Sequence, residues 1–315
     1  MEYQAFVDVV EKRVKKALRG EVKVERKDTM KNNGRKRTGL VFWVDGLNTA
    51  PTIYLEEYFE AFRKGFSMEK VVYEVLKMYR EVVEKGVRDF SFLRNYQRIQ
   101  EYIAYKLINY KENQELLEQV PHIRMLDLAV VFYVYLKGER QNAGMLIHTS
   151  HMKIWNINEE QLYRDAKKNT EKLFPWVLIP MSEVVAEMLG EEEIQEEFPM
   201  PIQEEFMYIL TNRERNQGAA CMLYEGVLRK IAEIFGENYY ILPSSIHELI
   251  LIPESRCPKE PELEEMICEV NETQVEEEEI LAWRAYYYDD QRRRVVLSGI
   301  EQSGQAHFNS PSLYS

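Results

Sequence analysis

Apolar residues recur three or four positions apart in several segments, which is the spacing that buries one face of an α-helix. Residues 2–19 follow this spacing. A second such segment begins after Gly65, with Ser67 as its expected N-cap. A third covers residues 156–173, with Asn158 as its expected N-cap. Shorter helices are predicted at 96–101, 182–189 and 262–271.

Other segments have the pattern of β-strands. The turn Asn32-Asn33-Gly34 lies between VKVERKD and TGLVFWVDG, and Asn-Gly is typical of tight hairpins. The stretch LDLAVVFYVYLKG is apolar at nearly every position, which predicts a strand buried on both faces. Further strands are predicted at IAYKLIN, MLIHTSH, FMYILT, AACMLY, NYYIL and LILI. This mixture predicts an α+β protein, in which antiparallel β-hairpins and sheets pack against amphipathic helices.

One segment has the composition of a linker. Residues 191–205 are acidic, contain two prolines and lack periodicity. We therefore predict an N-terminal α+β lobe at 1–190, a C-terminal α+β lobe at 206–300 and a disordered tail at 301–315. The stretches FYVYLKGERQNAGML and MYILTNRERNQGAACML resemble each other, so two related ββα units are one interpretation. A chance similarity between two polar turns is the other.

The composition is that of a globular chain, with 45% hydrophobic and 30% charged residues. Cys221, Cys257 and Cys268 fit neither a disulfide framework nor zinc spacing, so we expect a reducing, cytoplasmic location. The N-terminus is charged throughout, and no apolar run approaches the ~18 residues that a membrane span needs. We therefore expect no membrane contact. There is no Gly-rich phosphate loop either, so we expect no cofactor.

The charge is unevenly distributed. The formal net charge of −12 disfavours a protein that wraps nucleic acid, because phosphate binding needs an excess of basic residues. Residues 12–37, however, contain twelve Lys and Arg against three Asp and Glu, and residues 254–279 are strongly acidic. We interpret both runs as solvated surface. The alternative is nucleic-acid binding through the basic N-terminal hairpin, whose candidate residues are Lys31, Arg35, Lys36 and Arg37.

The stretch ILPSSIHELILIP places Ser244, Ser245, His247 and Glu248 within five residues. A nucleophilic hydroxyl, a histidine base and an orienting carboxylate are the parts of a hydrolase triad, so all four are candidate catalytic residues. No Gly-x-Ser-x-Gly elbow flanks the serines, and adjacent residues of a strand point to opposite faces. The structural interpretation is a bend followed by a buried strand, with serines that satisfy backbone groups of the turn.

A second histidine motif is HTSHMKIW. His148 and His151 lie three residues apart, and closely spaced histidines occur in zinc sites, so both are candidate metal ligands. No Asp, Glu or Cys follows at a ligand spacing. We therefore expect no metal here, but a strand end and a loop that leads to the helix at Asn158.

Five stretches resemble an uncharacterised bacterial domain-of-unknown-function family, seen mainly in anaerobic gut bacteria and often near mobile elements. They are PTIYLEEYFE, KLIN with NQELL, DLAVVFYV, LTN with Gly218-Ala219-Ala220, and ILPSSIHELILIP. The resemblance covers roughly residues 1–300 and implies no activity, ligand or residue role.

Without a catalytic or cofactor motif, and with polarised charge, the sequence favours an intracellular, non-enzymatic interaction or regulatory protein with an unknown protein partner. The alternatives are a hydrolase-like enzyme centred on PSSIHE and a nucleic-acid-binding protein. The sequence does not decide whether the protein is an enzyme, but the lack of a catalytic motif favours a protein without enzymatic activity.

Overall fold

The computed structural model of the chain describes residues 1–44, 50–84, 91–138, 142–189, 205–243, 245–258, 260–298 and 307–309. It combines helices with three antiparallel sheets, so the predicted α+β class is confirmed. The chain divides into two compact units, residues 1–98 and residues 99–315. No helix in the described ranges is both long and apolar enough to cross a membrane.

The first unit combines the helices α1, α2 and α3 with a small sheet of order β1-β2-β3. Both predicted long helices and the hairpin are confirmed. Asn33 and Gly34 have positive φ angles at the turn, which is why an Asn-Gly pair suits it. The elements are α1 (Tyr3–Ala17), β1 (Lys23–Met30), β2 (Lys36–Trp43), β3 (Thr52–Tyr54), α2 (Glu56–Arg63) and α3 (Met68–Glu84).

The core of this unit is rich in aromatic residues. The Phe6 side chain is fully buried, and its ring centroid lies 5.1 Å from that of Phe59 and 5.4 Å from that of Phe62. Phe42 stacks on Tyr79 with centroids 4.6 Å apart. The apolar stripe of α1 therefore contacts α2, and β2 contacts α3.

The second unit contains two sheets. The four-stranded sheet has the order β4-β6-β5, with β7 also paired to β6, and the seven-stranded sheet has the order β14-β13-β12-β10-β11-β9-β8. The strands are β4 (Ile103–Asn109), β5 (His122–Met125), β6 (Leu128–Leu136), β7 (Ala143–Leu146), β8 (Trp176–Pro180), β9 (Tyr208–Asn212), β10 (Tyr239–Leu242), β11 (Leu249–Pro253), β12 (Tyr286–Asp289), β13 (Arg294–Leu297) and β14 (His307–Asn309).

Helix α7 (Glu159–Leu173) packs on the four-stranded sheet. Its N-cap is Asn158, as predicted, whose side chain accepts a hydrogen bond from the Gln161 backbone. The Tyr105 N–H of β4 donates to Thr170 Oγ1, which fixes the helix on the strand. The other helices are α4 (Tyr96–Ile99), α5 (Gln114–Leu117), α6 (Thr149–Trp155), α8 (Met181–Leu189), α9 (Val227–Phe235) and α10 (Glu260–Thr273).

The division of the chain differs from the predicted one. Strands β8 and β9 lie on either side of the predicted linker, yet they pair along their length, from Trp176 opposite Asn212 to Pro180 opposite Tyr208. One sheet therefore joins both predicted lobes. Residues 191–204 and most of the predicted tail lie outside the described residues, while β14 within that tail pairs with β13.

Two local predictions are wrong. AACMLY is not a strand: residues Gly218–Leu223 form a 3₁₀-helix with every residue buried, which removes any alternation that would mark a strand. The second half of the proposed repeat therefore lacks the hairpin of β6 and β7. The predicted strand MLIHTSH ends at Leu146, and helix α6 begins at Thr149.

We expect Phe6→Ala to lower the free energy of unfolding by about 3–5 kcal/mol, because it leaves a cavity among three aromatic rings. Phe66→Ala is the matched control, since Phe66 is 39% exposed and its ring contacts Lys70. The control should cost less than about 1 kcal/mol. Urea unfolding followed by circular dichroism measures both. Equal losses would contradict the assigned core.

Candidate functional site

The bend between β10 and β11 carries the predicted catalytic candidates. Ser245 is buried, and its Oγ accepts a hydrogen bond of 2.9 Å from the His247 backbone N–H. Ser245 also forms an isolated bridge with Ile280. The Ser245 hydroxyl is therefore bonded to the backbone of His247 and not to its imidazole ring. Ser244, the other serine candidate, lies outside the described residues.

The His247 imidazole is bonded at both nitrogens. Nδ1 accepts the Gln217 backbone N–H at 3.2 Å, and Nε2 lies 3.2 Å from Glu279 Oε1. Because a backbone N–H only donates, Nδ1 must be the acceptor, and the proton of the neutral ring belongs on Nε2, which donates to Glu279. The histidine therefore has a carboxylate partner, but it is Glu279 and not the adjacent Glu248.

Glu248 is half-buried beside these groups. Burial raises the pKa of its carboxyl, and the nearby charges of His247 and Arg215 only partly offset this. Arg215 is itself held in a two-point contact with Glu187, with N–O distances of 2.7 and 3.0 Å. The guanidinium lowers the pKa of Glu187, so the two carboxyls near Arg215 are shifted in opposite directions.

Hydrogen bonds connect the bend to the end of β9 and to the 3₁₀-helix Gly218–Leu223. Thr211 Oγ1 donates to the His247 carbonyl oxygen at 2.8 Å, and the Ala219 N–H donates to the Ile246 carbonyl at 3.2 Å. A Cβ at Gly218 would lie closer than 3.0 Å to Thr211 Oγ1, to the His247 carbonyl oxygen and to the Asn212 nitrogen. Only glycine permits this approach, so the three stretches LTN, GAA and SIHE (Ser245–Glu248) form one structural cluster.

A cavity of about 250 Å³ lies beside this cluster, and we call it the Gln217 cavity. Three aromatic side chains line it, and the rings of Tyr135 and Phe174 meet edge to face at 4.9 Å. The Gln217 Oε1 atom is buried and has no hydrogen-bond partner among the described residues. The lining residues are Lys106, Tyr133, Tyr135, Asn142, Ala143, Gly144, Leu146, Phe174, Asn216 and Gln217.

A second depression of about 430 Å³ runs along α7, and we call it the α7 cleft. Tyrosines and charged side chains of both signs line it, with ion pairs between Arg164 and Glu160 at 2.7 Å and between Lys167 and Glu225 at 3.5 Å. The lining residues are Tyr105, Glu160, Tyr163, Arg164, Lys167, Lys168, Glu171, Leu223, Tyr224 and Glu225.

The candidate metal ligands cap a helix. His148 is the N-cap residue of α6, and its backbone N–H donates to His151 Nδ1 at 3.1 Å. Burial lowers the pKa of His151, whose ring also lies 5.5 Å from that of Trp155. Across the described ranges, no group of three or more His, Cys, Asp or Glu residues is placed to hold a metal ion.

Carboxylates are interspersed with the basic side chains of the first unit. Arg26 contacts Asp8 at 2.9 Å and Glu11 at 3.0 Å, and Arg37 contacts Glu57 at 3.4 Å. The Lys31 ammonium group lies 4.1 Å from the centre of the Tyr54 ring. Arg35 and Lys36 lie at the start of β2, next to the turn. The positive charge of the hairpin is therefore partly neutralised within its own unit.

Sequence reasoning found His247 but missed its partners. Gln217 and Glu279 are 30 and 32 residues away in the sequence, so no local motif joins them. The only signal was the tripeptide Gly218-Ala219-Ala220, whose small side chains allow two backbones to approach each other.

The chain belongs to DUF5688, a family of unknown function, which matches residues 3–290. No curated protein matches the chain. No solved structure matches it either.

We expect Gly218→Ala to destabilise the protein by about 1–3 kcal/mol or more, because its methyl group clashes with packed backbone. The control is Gly226→Ala, where the new Cβ meets nothing within 4 Å but φ is +75°. Its cost is the strain of that φ alone, about 1 kcal/mol. Thermal unfolding measures both, and a Gly218→Ala variant as stable as the control would contradict the close approach.

Glu248→Gln should make stability less sensitive to pH. A raised folded-state pKa means that the folded protein binds the proton more tightly, so Glu248 favours folding below its ordinary pKa of 4.5. That contribution is lost as the pH rises through the folded-state pKa. The melting temperature of the variant, relative to the wild type, should therefore increase between pH 4 and pH 7.

Glu187→Gln is the control of opposite sign. Arg215 lowers the pKa of the Glu187 carboxyl, so in the wild type this carboxylate stabilises the fold above pH 4.5. The stabilisation is lost in acid, when the carboxylate is protonated. Relative to the wild type, this variant should lose melting temperature between pH 4 and pH 7. The effect is small because both side chains are exposed. A shift of the same sign for both variants would contradict the assignment.

Proposed function

We propose that the protein acts by binding a protein partner rather than by catalysis, and that it holds a segment of this partner in the α7 cleft. The observation that carries the proposal is the lining of that cleft, where the half-buried Tyr163 and the buried Tyr105 and Tyr224 lie among three basic and three acidic side chains. Tyrosine and arginine are the residues that dominate the binding energy of protein interfaces.

The balance of charge in the cleft distinguishes between classes of partner. Nucleic acid presents one sign of charge, so a nucleic-acid groove is lined by an excess of Lys and Arg. In the α7 cleft, Lys168 and Glu171 lie one helical turn apart, and Lys167 pairs with Glu225. A surface on which positive and negative side chains alternate is complementary to a polypeptide that carries charges of both signs. The net charge of −12 favours the same class of partner.

The geometry of the bend supports a binding function over a hydrolase. A general base needs a free ring nitrogen within reach of the nucleophile. The Nδ1 atom of His247 is used by the Gln217 backbone, and the Ser245 hydroxyl is used by the His247 backbone. Among the described candidates, the ring of His247 and the hydroxyl of Ser245 are thus both bonded to backbone groups of the loop.

The proposed setting is the bacterial cytoplasm, in keeping with the resemblance to a bacterial family found near mobile elements. No disulfide joins Cys221, Cys257 and Cys268 to one another. Burial raises the pKa of the Cys221 thiol to about 12, so it behaves as an apolar core group. Three cysteines without a disulfide among them are compatible with a reducing compartment.

A displayed library of random twelve-residue peptides, selected on the immobilised full-length protein, tests the proposal. We expect enriched peptides whose affinity falls about tenfold with Tyr163→Ala, because truncated aromatic anchors cost more than ~1 kcal/mol. Lys168→Glu should weaken peptides that carry acidic residues by a similar factor. Fluorescence anisotropy with the synthetic peptides measures each affinity.

Lys172→Glu is the matched control, because it makes the same charge change on the same helix at an exposed position outside the cleft lining. It should leave peptide affinity unchanged. If the peptides bind all three variants equally, they bind elsewhere and the cleft is not the site. If the wild type enriches no peptide, the proposal of a linear partner segment fails.

A further inference from the structure

Two charged side chains in the lining of the α7 cleft have no ion-pair partner among the described residues. Four of the six charges there form two ion pairs with each other, which leaves Lys168 and Glu171. Both are exposed on α7, and neither side chain forms a hydrogen bond or an ion pair within the described ranges. Residues three positions apart on a helix are neighbours on one face. The cleft therefore presents one uncompensated positive group beside one uncompensated negative group.

The hydroxyl of Tyr105 is a polar group of the same cleft that the fold does not use. Tyr105 is only 2% exposed, and its backbone N–H donates to Thr170, but its hydroxyl forms no hydrogen bond within the described ranges. The oxygen is not fully enclosed by the protein, so it is open to the cleft that Tyr105 lines. Most buried polar side chains have a hydrogen-bond partner. A polar group of a ligand in the cleft supplies the partner that this hydroxyl lacks.

The charge near this hydroxyl determines which sign of ligand group it favours. Burial raises the pKa of Tyr105 well above its usual range, so the hydroxyl keeps its proton. Tyr163, Cys221 and Glu171 add to this effect in that order. Of the ionic side chains in the cleft lining, Glu171 is the one that acts on the hydroxyl. A nearby carboxylate repels an anionic ligand group at this position and attracts a cationic one.

Aromatic rings beside a carboxylate match arginine best among the cationic side chains. The rings of Tyr105 and Tyr224 meet edge to face with centroids 6.4 Å apart, and the half-buried Tyr163 lies in the same lining. A guanidinium group stacks on aromatic faces, carries five N–H donors and binds a carboxylate at two points. It is hydrated more weakly than an ammonium group, so it leaves water more easily. One guanidinium group can therefore donate to Tyr105 and to Glu171 together.

We propose that the α7 cleft binds an arginine of the partner segment, with its guanidinium group between the Tyr105 hydroxyl and the Glu171 carboxylate, and that Lys168 binds an acidic residue of the same segment. This inference rests on the proposed function and specifies the chemistry of the partner at that site. Cβ atoms three positions apart on a helix are ~5–6 Å apart. Alternate residues of an extended chain share a face and are separated by ~6.6 Å. The arginine and the acidic residue therefore lie two positions apart, as Arg-x-Glu or Glu-x-Arg.

Two capped peptides, Ac-Ala-Glu-Ala-Arg-Ala-NH2 and Ac-Ala-Arg-Ala-Glu-Ala-NH2, test the proposal by isothermal titration on the full-length protein. We expect at least one of them to bind. Replacing its arginine by citrulline should weaken binding about 10-fold or more, because citrulline keeps the shape of arginine and lacks its charge. Equal binding of the citrulline peptide would overturn the proposal, and so would the failure of both peptides to bind at millimolar concentration.

Glu171→Gln removes the carboxylate that faces the guanidinium group. It should weaken the binding peptide about 2- to 5-fold, since Glu171 is exposed and water screens its charge. Glu159→Gln is the matched control, because it neutralises an exposed carboxylate on the same helix outside the cleft lining. It should leave the affinity unchanged. Equal losses in both variants would show a general attraction of the peptide to this acidic protein and would overturn the assigned site.

Tyr105→Phe separates binding from folding, because it removes the hydroxyl and keeps the ring. It should weaken the binding peptide about 2- to 10-fold through the loss of one hydrogen bond. The hydroxyl has no partner within the described ranges of the free protein, so the melting temperature should stay the same or rise. A lower melting temperature would show that the hydroxyl stabilises the fold by itself and would overturn its assignment to the ligand.

The selection of twelve-residue peptides distinguishes a failure of this inference from a failure of the proposed function. Enriched peptides that lose affinity with Tyr163→Ala, but contain no arginine or accept citrulline in its place, would overturn the arginine assignment and leave the cleft as a binding site. If no peptide is enriched, the proposed function and this inference fail together. Enrichment of Arg-x-Glu or Glu-x-Arg, with lower affinity for Glu171→Gln, supports both.

Discussion

The second unit depends on the close approach of backbone at Gly218. A 3₁₀-helix, the end of β9 and the bend before β11 meet there, with no room for a side chain between them. The hydrogen bonds from Thr211 and Ala219 to the bend exist only because the backbones are this close. The seven-stranded sheet gains its fixed geometry at this point, since β9 and β11 are neighbours and pair antiparallel.

This packing explains why the most catalysis-like stretch of the sequence is part of the architecture. Polar groups buried at a tight crossing must be hydrogen-bonded, because each unpaired one costs about 1–3 kcal/mol. Ser245 and His247 meet that demand at the bend, and Glu279 completes it from a distant loop. Serine and histidine are able to transfer protons, but at this bend they form hydrogen bonds to backbone groups and to a carboxylate. Gln217 is the exception, since its backbone takes part in the crossing and its side-chain oxygen is left unpaired.

The sequence predicted what depends on local pattern. Periodicity located α1, α3 and α7, and the Asn-Gly turn located the first hairpin, because both signals lie within a few residues. It failed at Gly218–Leu223, where complete burial makes a 3₁₀-helix resemble an apolar strand. It also failed at His148, because capping by a histidine three residues on is not a standard N-cap signal. The contacts of His247 and the pairing of β8 with β9 are long-range, and a single sequence carries no record of them.

Strand β4 separates the two cavities, and its alternation accounts for their different linings. Tyr105 lines the α7 cleft and Lys106 lines the Gln217 cavity, because consecutive residues of a strand point to opposite faces. Phe174 connects them: its ring lines the Gln217 cavity, while its carbonyl oxygen accepts a 3.0 Å hydrogen bond from the Tyr224 hydroxyl in the α7 cleft. Phe174 therefore contributes to both depressions, through its ring in one and through its carbonyl oxygen in the other.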